Sequence, residues 1–366
     1  MDILFIGDYS NFHVTLAKKL RQLGHRAVVV SSGSRCMDTE RDINLMRMPG
    51  KWGALKYICS VFSLLPKMSN FDVVQLINPN FLDLKPAKIR YFFNELRRRN
   101  GAVALSLVGN DPFFVKACCD AQMFRYSEFR VGRDLSPFAI ANPMVEKNWQ
   151  TEEMFGFCQH IYDNIDCAIS CLYEYQKVGS KYLGEKLEYI GIPIDVEGIK
   201  YEPLHIDDKI NIAVGIKSEY MSFKGTDRLL NAAKKIEHIH SDKCRVFVLK
   251  DLPYTEYMEK LRHSHIVLDQ LYSYTPATNA LGAMAMGKVV VSGAEPEFYD
   301  FVGEKDFKPI INVVPDDDYI FEKLLSLILD KEKLAERGRQ SRQFVERHNS
   351  SQLVAEKYIQ HIGKYM

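Results

Sequence analysis

The chain contains no Cys-x-x-Cys pair among its 8 cysteines. Cys167 and Cys171 stand four residues apart, but no second ligand pair lies near them, so the spacing offers no zinc site. The thiols at positions 36, 59, 118, 119, 158, 167, 171 and 244 read as buried free cysteines of a reducing compartment. Neither sign of charge dominates. Lysine and arginine (48) balance aspartate and glutamate (47), leaving a formal charge of +1. No global field therefore draws the chain to nucleic acid or to bulk acidic partners. "ELRRRN" (95–100) is a local basic run, open to two readings: a charged patch or the solvated end of a helix. Long apolar runs are also missing. "MDILFIGDYS" lacks a basic segment followed by a long apolar one, so no signal peptide is expected. "ALKYICSVFSLLP" (54–66) carries a lysine and is too short to span a bilayer. It fits either a half-buried amphipathic helix or one lying on a membrane surface.

At 366 residues the chain is long enough for two domains of ordinary size. Short β-branched runs alternate with helical spacing throughout. "DILFIG" (2–7) reads as a strand, "HVTLAKKLRQLG" (13–24) as a helix closed by Gly24, and "RAVVVSS" (26–32) as a parallel strand. Strands follow at 71–78, 102–109, 166–172 and 187–193, with a helix at 88–100. The stretch 112–160 is rich in aromatics and irregular. The pattern weakens over 195–209, which reads as an interdomain linker. It restarts with strands at 210–215, 244–250, 265–271 and 288–293, separated by helices at 225–238, 255–264 and 276–286. From 319 the chain is helical, with a break near 349–352. Alternation of this kind implies two doubly wound α/β domains. The spans expected are 1–195, 196–348 and a final helical segment, 349–366. Ligands of such sheets bind beyond the carboxyl ends of strands, and two such domains would place the site in a cleft between them.

Two stretches of the second half could carry chemistry. In "YTPATNALGAMAMGK" (274–288), Thr275 is a good N-cap, Pro276 suits the first helical position, Thr278 follows at the third and Gly287 ends the helix. Ala277, Ala280, Gly282, Ala283 and Ala285 leave this helix small-sided. Its N-terminus, including Asn279, offers backbone N–H groups to an anion such as a diphosphate. The alternative is a helix packed tightly on a sheet. In "KSEYMSFKGTDRLL" (217–230), Lys217 and Lys224 follow a strand end, and Gly225 lets the chain turn beside Lys224. These lysines could cover phosphate oxygens or simply meet solvent.

The two stretches together resemble the family 4 glycosyltransferases of the GT-B architecture. The likeness rests on "FKGTDRLLNAAKKI" (223–236), "HIVLDQL" (265–271) and "GAMAMGKVVVSG" (282–293), the last similar to that family's E-A-M-A-x-G-x-P-V-V signature. It extends more weakly to 6–32, 166–178 and 187–195. The resemblance implies two Rossmann-like domains facing a cleft, the first binding the acceptor and the second the donor, with the C-terminal helix bridging back to the first. It implies transfer from a nucleotide-diphosphate sugar, a UDP- or GDP-sugar, to a glycan or lipid-linked acceptor, with retention. It also implies surface polysaccharide or glycoconjugate synthesis in the cytoplasm, at most with peripheral contact at the inner membrane face. No resident cofactor or metal is expected. By position, Lys224 would contact the diphosphate with help from Lys217 and Gly225, and the first helical turn around Thr275, Thr278 and Asn279 would donate N–H groups. The nucleotide base would lie near 250–252.

The chain departs from the family at its two glutamates, where Tyr274 and Gly282 stand, and at the signature proline, where Val289 stands. Glycine cannot accept the hydroxyls of a ribose. Asp269, at a strand end, is one substitute, and Glu295 and Glu297 are others. In the first half, His13 and Asp111 are candidate substrate contacts. His13 could otherwise be a helix-terminal residue without a ligand, and Asp111 a turn former before Pro112. Gly7 and Ser10 are candidate positions of close backbone approach, and His25 reads as structural. Three functions fit: a sugar transferase, a GT-B-fold binding or scaffold protein without transferase chemistry, and a related enzyme such as a nucleotide-sugar epimerase.

Overall fold

The computed structural model describes residues 1–34, 37–206 and 208–366; Cys36, one of the thiols noted above, lies outside them. In chain order the strands are β1 (Asp2–Ile6), β2 (Arg26–Ser31), β3 (Ile43–Asn44), β4 (Val73–Leu76), β5 (Ala102–Leu107), the pair β6 (Arg130–Val131) and β7 (Asp134–Leu135), β8 (Cys167–Ser170), β9 (Leu187–Tyr189), β10 (Ile210–Ile216), β11 (Cys244–Lys250), β12 (Ile266–Leu268), β13 (Val289–Ser292) and β14 (Ile311–Asn312). Two compact units hold them. One comprises 1–116, 147–193 and 351–366; the other comprises 117–146 and 194–350.

The first unit is a parallel sheet in the order β3-β2-β1-β4-β5-β8-β9. Every residue of β4, β5 and β8 is buried. That explains why their sequences are mostly apolar rather than alternating, with only Gln75, Ser106 and Ser170 polar: helices cover both faces. The helix Phe12–Gln22 returns the chain from β1 to β2, and Gly24 (φ 86°) ends it in the left-handed conformation that glycine adopts freely. The helix Ser351–Ile362 packs on Phe12–Gln22, with Tyr358 buried against Phe5. The chain runs outward from β1 through β2 to β3, then restarts at β4 on the other side. The switch point of this sheet thus lies between the ends of β1 and β4.

The second unit is a parallel sheet in the order β11-β10-β12-β13-β14. Here too β12 and β13 are buried throughout, whereas the edge strand β11 is largely open. Its switch point falls between β10 and β12. Its core joins Ile212, Val214, Leu229, Ile236, Leu268, Val291 and Leu324. The stretch 195–206 is not a free linker. Leu204 is buried in this core, and Arg342 clamps the stretch through the carbonyls of Val196 and Ile199, at 2.8 and 3.0 Å. The irregular aromatic stretch also resolves. Of it, Ala117–Glu146 belongs to this second unit and carries the β6–β7 pair and the short helix Pro137–Ala141.

Close backbone approach fixes the loop that follows β12. Gly293 N donates to Gln270 O at 3.1 Å, and a Cβ at position 293 would stand 1.8 Å from the carbonyl oxygen of Ser273. Backbone cannot yield as a side chain can, so Gly293→Ala must push the 270–275 loop off β13. We expect a loss of about 1–3 kcal/mol, the usual cost of overpacking, read as a lower Tm and a lower denaturant midpoint with the fold retained. An unchanged midpoint would contradict this packing.

Candidate functional site

The carboxyl ends of β10 and β12 converge at the second sheet's switch point, where Asp269 follows β12. Its N–H donates to Val291 O at 3.0 Å, which holds it against β13. Its carboxylate is 1% exposed. Asn279 Nδ2 donates to Oδ1 at 2.9 Å and Ser292 Oγ donates to Oδ2 at 3.4 Å. The ammonium of Lys224 lies 3.6 Å from the same Oδ1. A buried carboxylate needs such partners, because desolvation would otherwise drive it neutral or destabilise the fold. The lysine side chain remains about one-third exposed (35%), so its charge also faces outward.

The local chain places Lys224 by backbone rather than by chance. The turn Met221–Lys224 ends at Gly225, whose φ of 69° is left-handed. Leu271 N donates to Lys224 O at 2.8 Å. A Cβ at 225 would come within 2.9 Å of both Leu271 Cβ and Tyr272 Cε2. Conformation and space both call for glycine there.

The small-sided helix runs Thr278–Ala285, with Ala277 at its N-cap and no side-chain cap bond. It therefore starts later than the Thr275–Pro276 signature predicts. Thr275 O accepts from Ser273 Oγ at 2.7 Å and Gln270 Nε2 at 3.3 Å, and Thr275 N donates to Ser273 Oγ at 3.2 Å. These bonds lock 273–275 into a turn that competes with helix formation. The first-turn N–H groups belong to Thr278, Asn279 and Ala280, which precede the first helical bond, Leu281 N to Ala277 O. Asn279 Oδ1 accepts from Tyr257 Oη at 2.7 Å. Tyr257 reaches it over Gly215 near the end of β10; a Cβ at 215 would be 2.5 Å from that hydroxyl. Burial, then the charge of Asp269, pushes the Tyr257 hydroxyl well above its ordinary pKa. It stays a neutral hydrogen-bonding group. Nothing in the sequence marks Tyr257, which sits in an ordinary amphipathic helix, Tyr254–Leu261.

Gly282 follows Asn279 on the same helix face. A Cβ there would meet nothing within 4 Å, so packing does not demand glycine. Lys217 goes elsewhere: its ammonium donates to Leu252 O at 3.3 Å, beside Asp251, which accepts from Ser218 N and Oγ. The structure thus joins Lys224, Asp269 and Asn279 but ties Lys217 to the loop after β11. The residue at the other missing glutamate, Tyr274, is covered by Ala117–Glu146. Its hydroxyl accepts from Arg125 N at 2.7 Å, and its ring lies against Phe124 and Tyr126. Glu295 is buried and accepts from Tyr126 Oη, Asn312 Nδ2 and Arg125 Nη2; Arg125 also pairs with Glu297. Both candidate substitutes are therefore engaged with this segment, and the hydrogen bond from Arg125 to Glu297 holds the guanidinium firmly charged.

In the first unit, Gly7 (φ 81°) ends β1 at the switch point, and a Cβ there would strike Ile77 Cγ2 at 2.3 Å. That requirement belongs to the sheet itself. His13 lies inside the first unit. It is fully buried, with Nδ1 2.7 Å from Gly7 O and Nε2 3.0 Å from Ser106 Oγ. A neutral ring donating from Nδ1 and accepting from the serine satisfies both contacts. Asp111 is likewise buried. It caps the helix Pro112–Cys119 by accepting from Phe114 N at 2.8 Å, and it accepts from Tyr162 Oη at 2.7 Å; burial raises its pKa. Both residues are held by hydrogen bonds within the first unit. Ser10 has a left-handed φ of 53° in the β1 loop. Among the described residues no group of three His, Cys, Asp or Glu side chains is arranged to hold a metal ion.

No protein-family model and no curated relative matches the sequence. Solved structures do match the fold. HepE of Anabaena, in complex with UDP and glucose, aligns over 100% of both chains at 13% identity and a TM-score of 0.60. Sucrose-phosphate synthase from Thermosynechococcus elongatus aligns over 100% of this chain and 99% of its own at 10% identity and 0.63. A putative UDP-N-acetylglucosamine 2-epimerase from Listeria monocytogenes aligns over 98% and 94% at 11% identity and 0.56. The chain has the GT-B fold, with two Rossmann-like α/β domains.

Burial pushes the His13 imidazole down to about 3 from its ordinary 6.5. The unfolded chain binds that proton first, so the neutral ring's contribution is complete above pH 6.5 and is lost as pH falls toward 3. The slope it adds approaches about 1.4 kcal/mol per pH unit within that window. His13→Asn should lower stability at neutral pH yet flatten the fall in unfolding free energy between pH 6.5 and 4, as read by denaturant titration at each pH. Parallel pH profiles for the two proteins would contradict the assignment.

Proposed function

We propose that the chain is a glycosyltransferase that moves a sugar from a nucleotide-diphosphate donor, and that Lys224 and the first turn of Thr278–Ala285 receive the diphosphate. One observation carries this reading. The ammonium of Lys224 and the amide of Asn279 meet on a single buried oxygen of Asp269, at the switch point of the second sheet. A cation and a helix N-terminus with the same focus suit an anion whose charge grows as the sugar departs. Asp269 would orient the ammonium, Thr278, Asn279 and Gly225 would line the diphosphate, and Lys217 with the 250–252 backbone would lie toward the nucleotide. Gly282 leaves room for the ribose. The comparison structures with UDP or UDP-sugar bound are consistent with a nucleotide-sugar donor. Retention of configuration, membership of family 4, a glycan or lipid-linked acceptor, and a place in surface polysaccharide synthesis at the cytoplasmic face are part of the same proposal.

A second reading has its own support. Neither motif glutamate is present, and Tyr274, Glu295 and Glu297 are engaged by the 124–126 segment. That arrangement favours a GT-B-fold binding protein. The likeness to a putative UDP-N-acetylglucosamine 2-epimerase supports a third reaction, epimerisation of the nucleotide sugar. Calorimetric titration with UDP, GDP and ADP decides between the first two. We expect one nucleotide to bind, Lys224→Ala to weaken it by about ten- to a hundredfold, the worth of one charge-assisted contact, and Lys217→Ala to weaken it less. Gly282→Glu should keep the fold and tighten binding. Silence with every nucleotide would overturn the transferase reading. Product analysis with the matching nucleotide sugar would separate transfer from epimerisation.

A further inference from the structure

Among the described residues, β11 is the longest free edge of the two large sheets. It has 7 residues at the margin of the second sheet, whereas the other edges, β3, β9 and β14, have 2, 3 and 2. Every residue of β11 has a partner on β10, from Cys244 beside Ile210 to Lys250 beside Ile216. Ile210 N donates to Lys243 O at 2.8 Å and Asp251 N to Ile216 O at 2.9 Å, so the odd-numbered residues turn their backbone groups toward β10. Strand geometry then turns those of Cys244, Val246, Val248 and Lys250 to the open side. The side chains of Phe247 (37%) and Val248 (41%) are exposed. A long edge with exposed apolar side chains is a template for another strand.

One side chain reaches over this edge. Glu237, in the last turn of the helix Thr226–Ile239, accepts from Val246 N through Oε1 at 2.6 Å, and its Oε2 accepts from Lys234 Nζ at 2.7 Å. A carboxylate in the last turn opposes the helix dipole, so the helix itself gains nothing from it there. Cys244 N donates to His240 O at 3.1 Å. Two of the outward amides are thereby occupied, and an arriving strand finds a carboxylate on the donor that it needs. The strand is otherwise complementary to a second copy of itself. In an antiparallel two-fold pairing centred on Phe247, Val246 would exchange backbone bonds with the other copy's Val248. Arg245 would lie opposite Leu249 and Cys244 opposite Lys250, so no like charges would be opposed.

We propose that Glu237 guards the β11 edge: its bond to Val246 N keeps this strand from pairing with β11 of a second copy. Glu237, Val246 and Val248 take no part in the donor-site reading, so the two stand or fall separately. Glu237→Ala removes the cap and leaves the pairing with β10 intact. We expect that variant to show a concentration-dependent doubling of mass, relative to the wild-type chain, in sedimentation equilibrium. Glu237→Gln keeps an oxygen that can accept from Val246 N and should retain the wild-type mass. Val248→Pro removes an outward donor without touching a bond to β10, so Glu237→Ala combined with Val248→Pro should also retain it. In that double variant the Val246 amide should exchange its hydrogen roughly fivefold faster than in the wild-type chain, the worth of one net hydrogen bond. A Glu237→Ala protein of unchanged mass would overturn the proposal. So would association that Val248→Pro leaves in place, or equal association of the glutamine variant, which would assign the effect to lost charge.

Discussion

A single carboxylate, sunk at the end of a central strand, organises the second unit. Asp269 has almost no solvent, and a bare charge there would cost several kcal/mol. Its partners come from three places: Ser292 at the end of β13, Asn279 in the first turn of the small-sided helix, and Lys224 before Gly225. Each satisfies part of the carboxylate, and each is thereby fixed relative to the others. The need to neutralise one buried anion thus aligns a cation and a helix N-terminus at the point where the sheet's strand order reverses. An anionic ligand would find that alignment already made.

Backbone proximity makes the arrangement possible. Gly225 turns the chain where a side chain would collide with Leu271 and Tyr272, Gly293 lets the 270–275 loop lie against β13, and Gly215 leaves room for Tyr257. These are three separate demands, one on conformation and space, two on space alone. Gly282 is different in kind, because nothing presses on it. Where the first three glycines serve the fold, Gly282 leaves an opening beside Asn279.

The Ala117–Glu146 segment adds a second electrostatic knot. Arg125 meets Glu295 and Glu297, and Tyr126 donates to Glu295, so two carboxylates near the end of β13 are held by a stretch far away in the chain. Tyr274 sits under the same segment with its hydroxyl on Arg125 N. The site therefore has two acidic centres with different tasks: one paired with an outward-facing lysine, the other locked in a network of aromatic and guanidinium groups.

Most of the fold was legible in the sequence, since strands buried on both faces are mostly apolar and the turns between them carry glycine. Gly24 and Gly287 marked helix ends, and both have the left-handed φ that such ends use. Lys224 and Gly225 were legible as a pair for the same local reason. The helix start at 278 was not, because Thr275 has the chemistry of a cap and only the tertiary turn at Ser273 and Gln270 diverts it. His13 and Asp111 have the chemistry of contacts to a substrate, but the burial and the partners of both, Gly7 and Ser106 for one and Tyr162 for the other, could not be read from the sequence. The pairing of Arg125 with Glu295 spans 170 residues and leaves no periodic or compositional trace. What the sequence determined by itself was the longer strands and the helices between them, though not the two-residue strands β3, β6, β7 and β14, because hydrophobic periodicity and turn chemistry act over a few residues. Tertiary structure alone decided which charges meet, because Coulomb attraction and desolvation depend on distance in space and not along the chain.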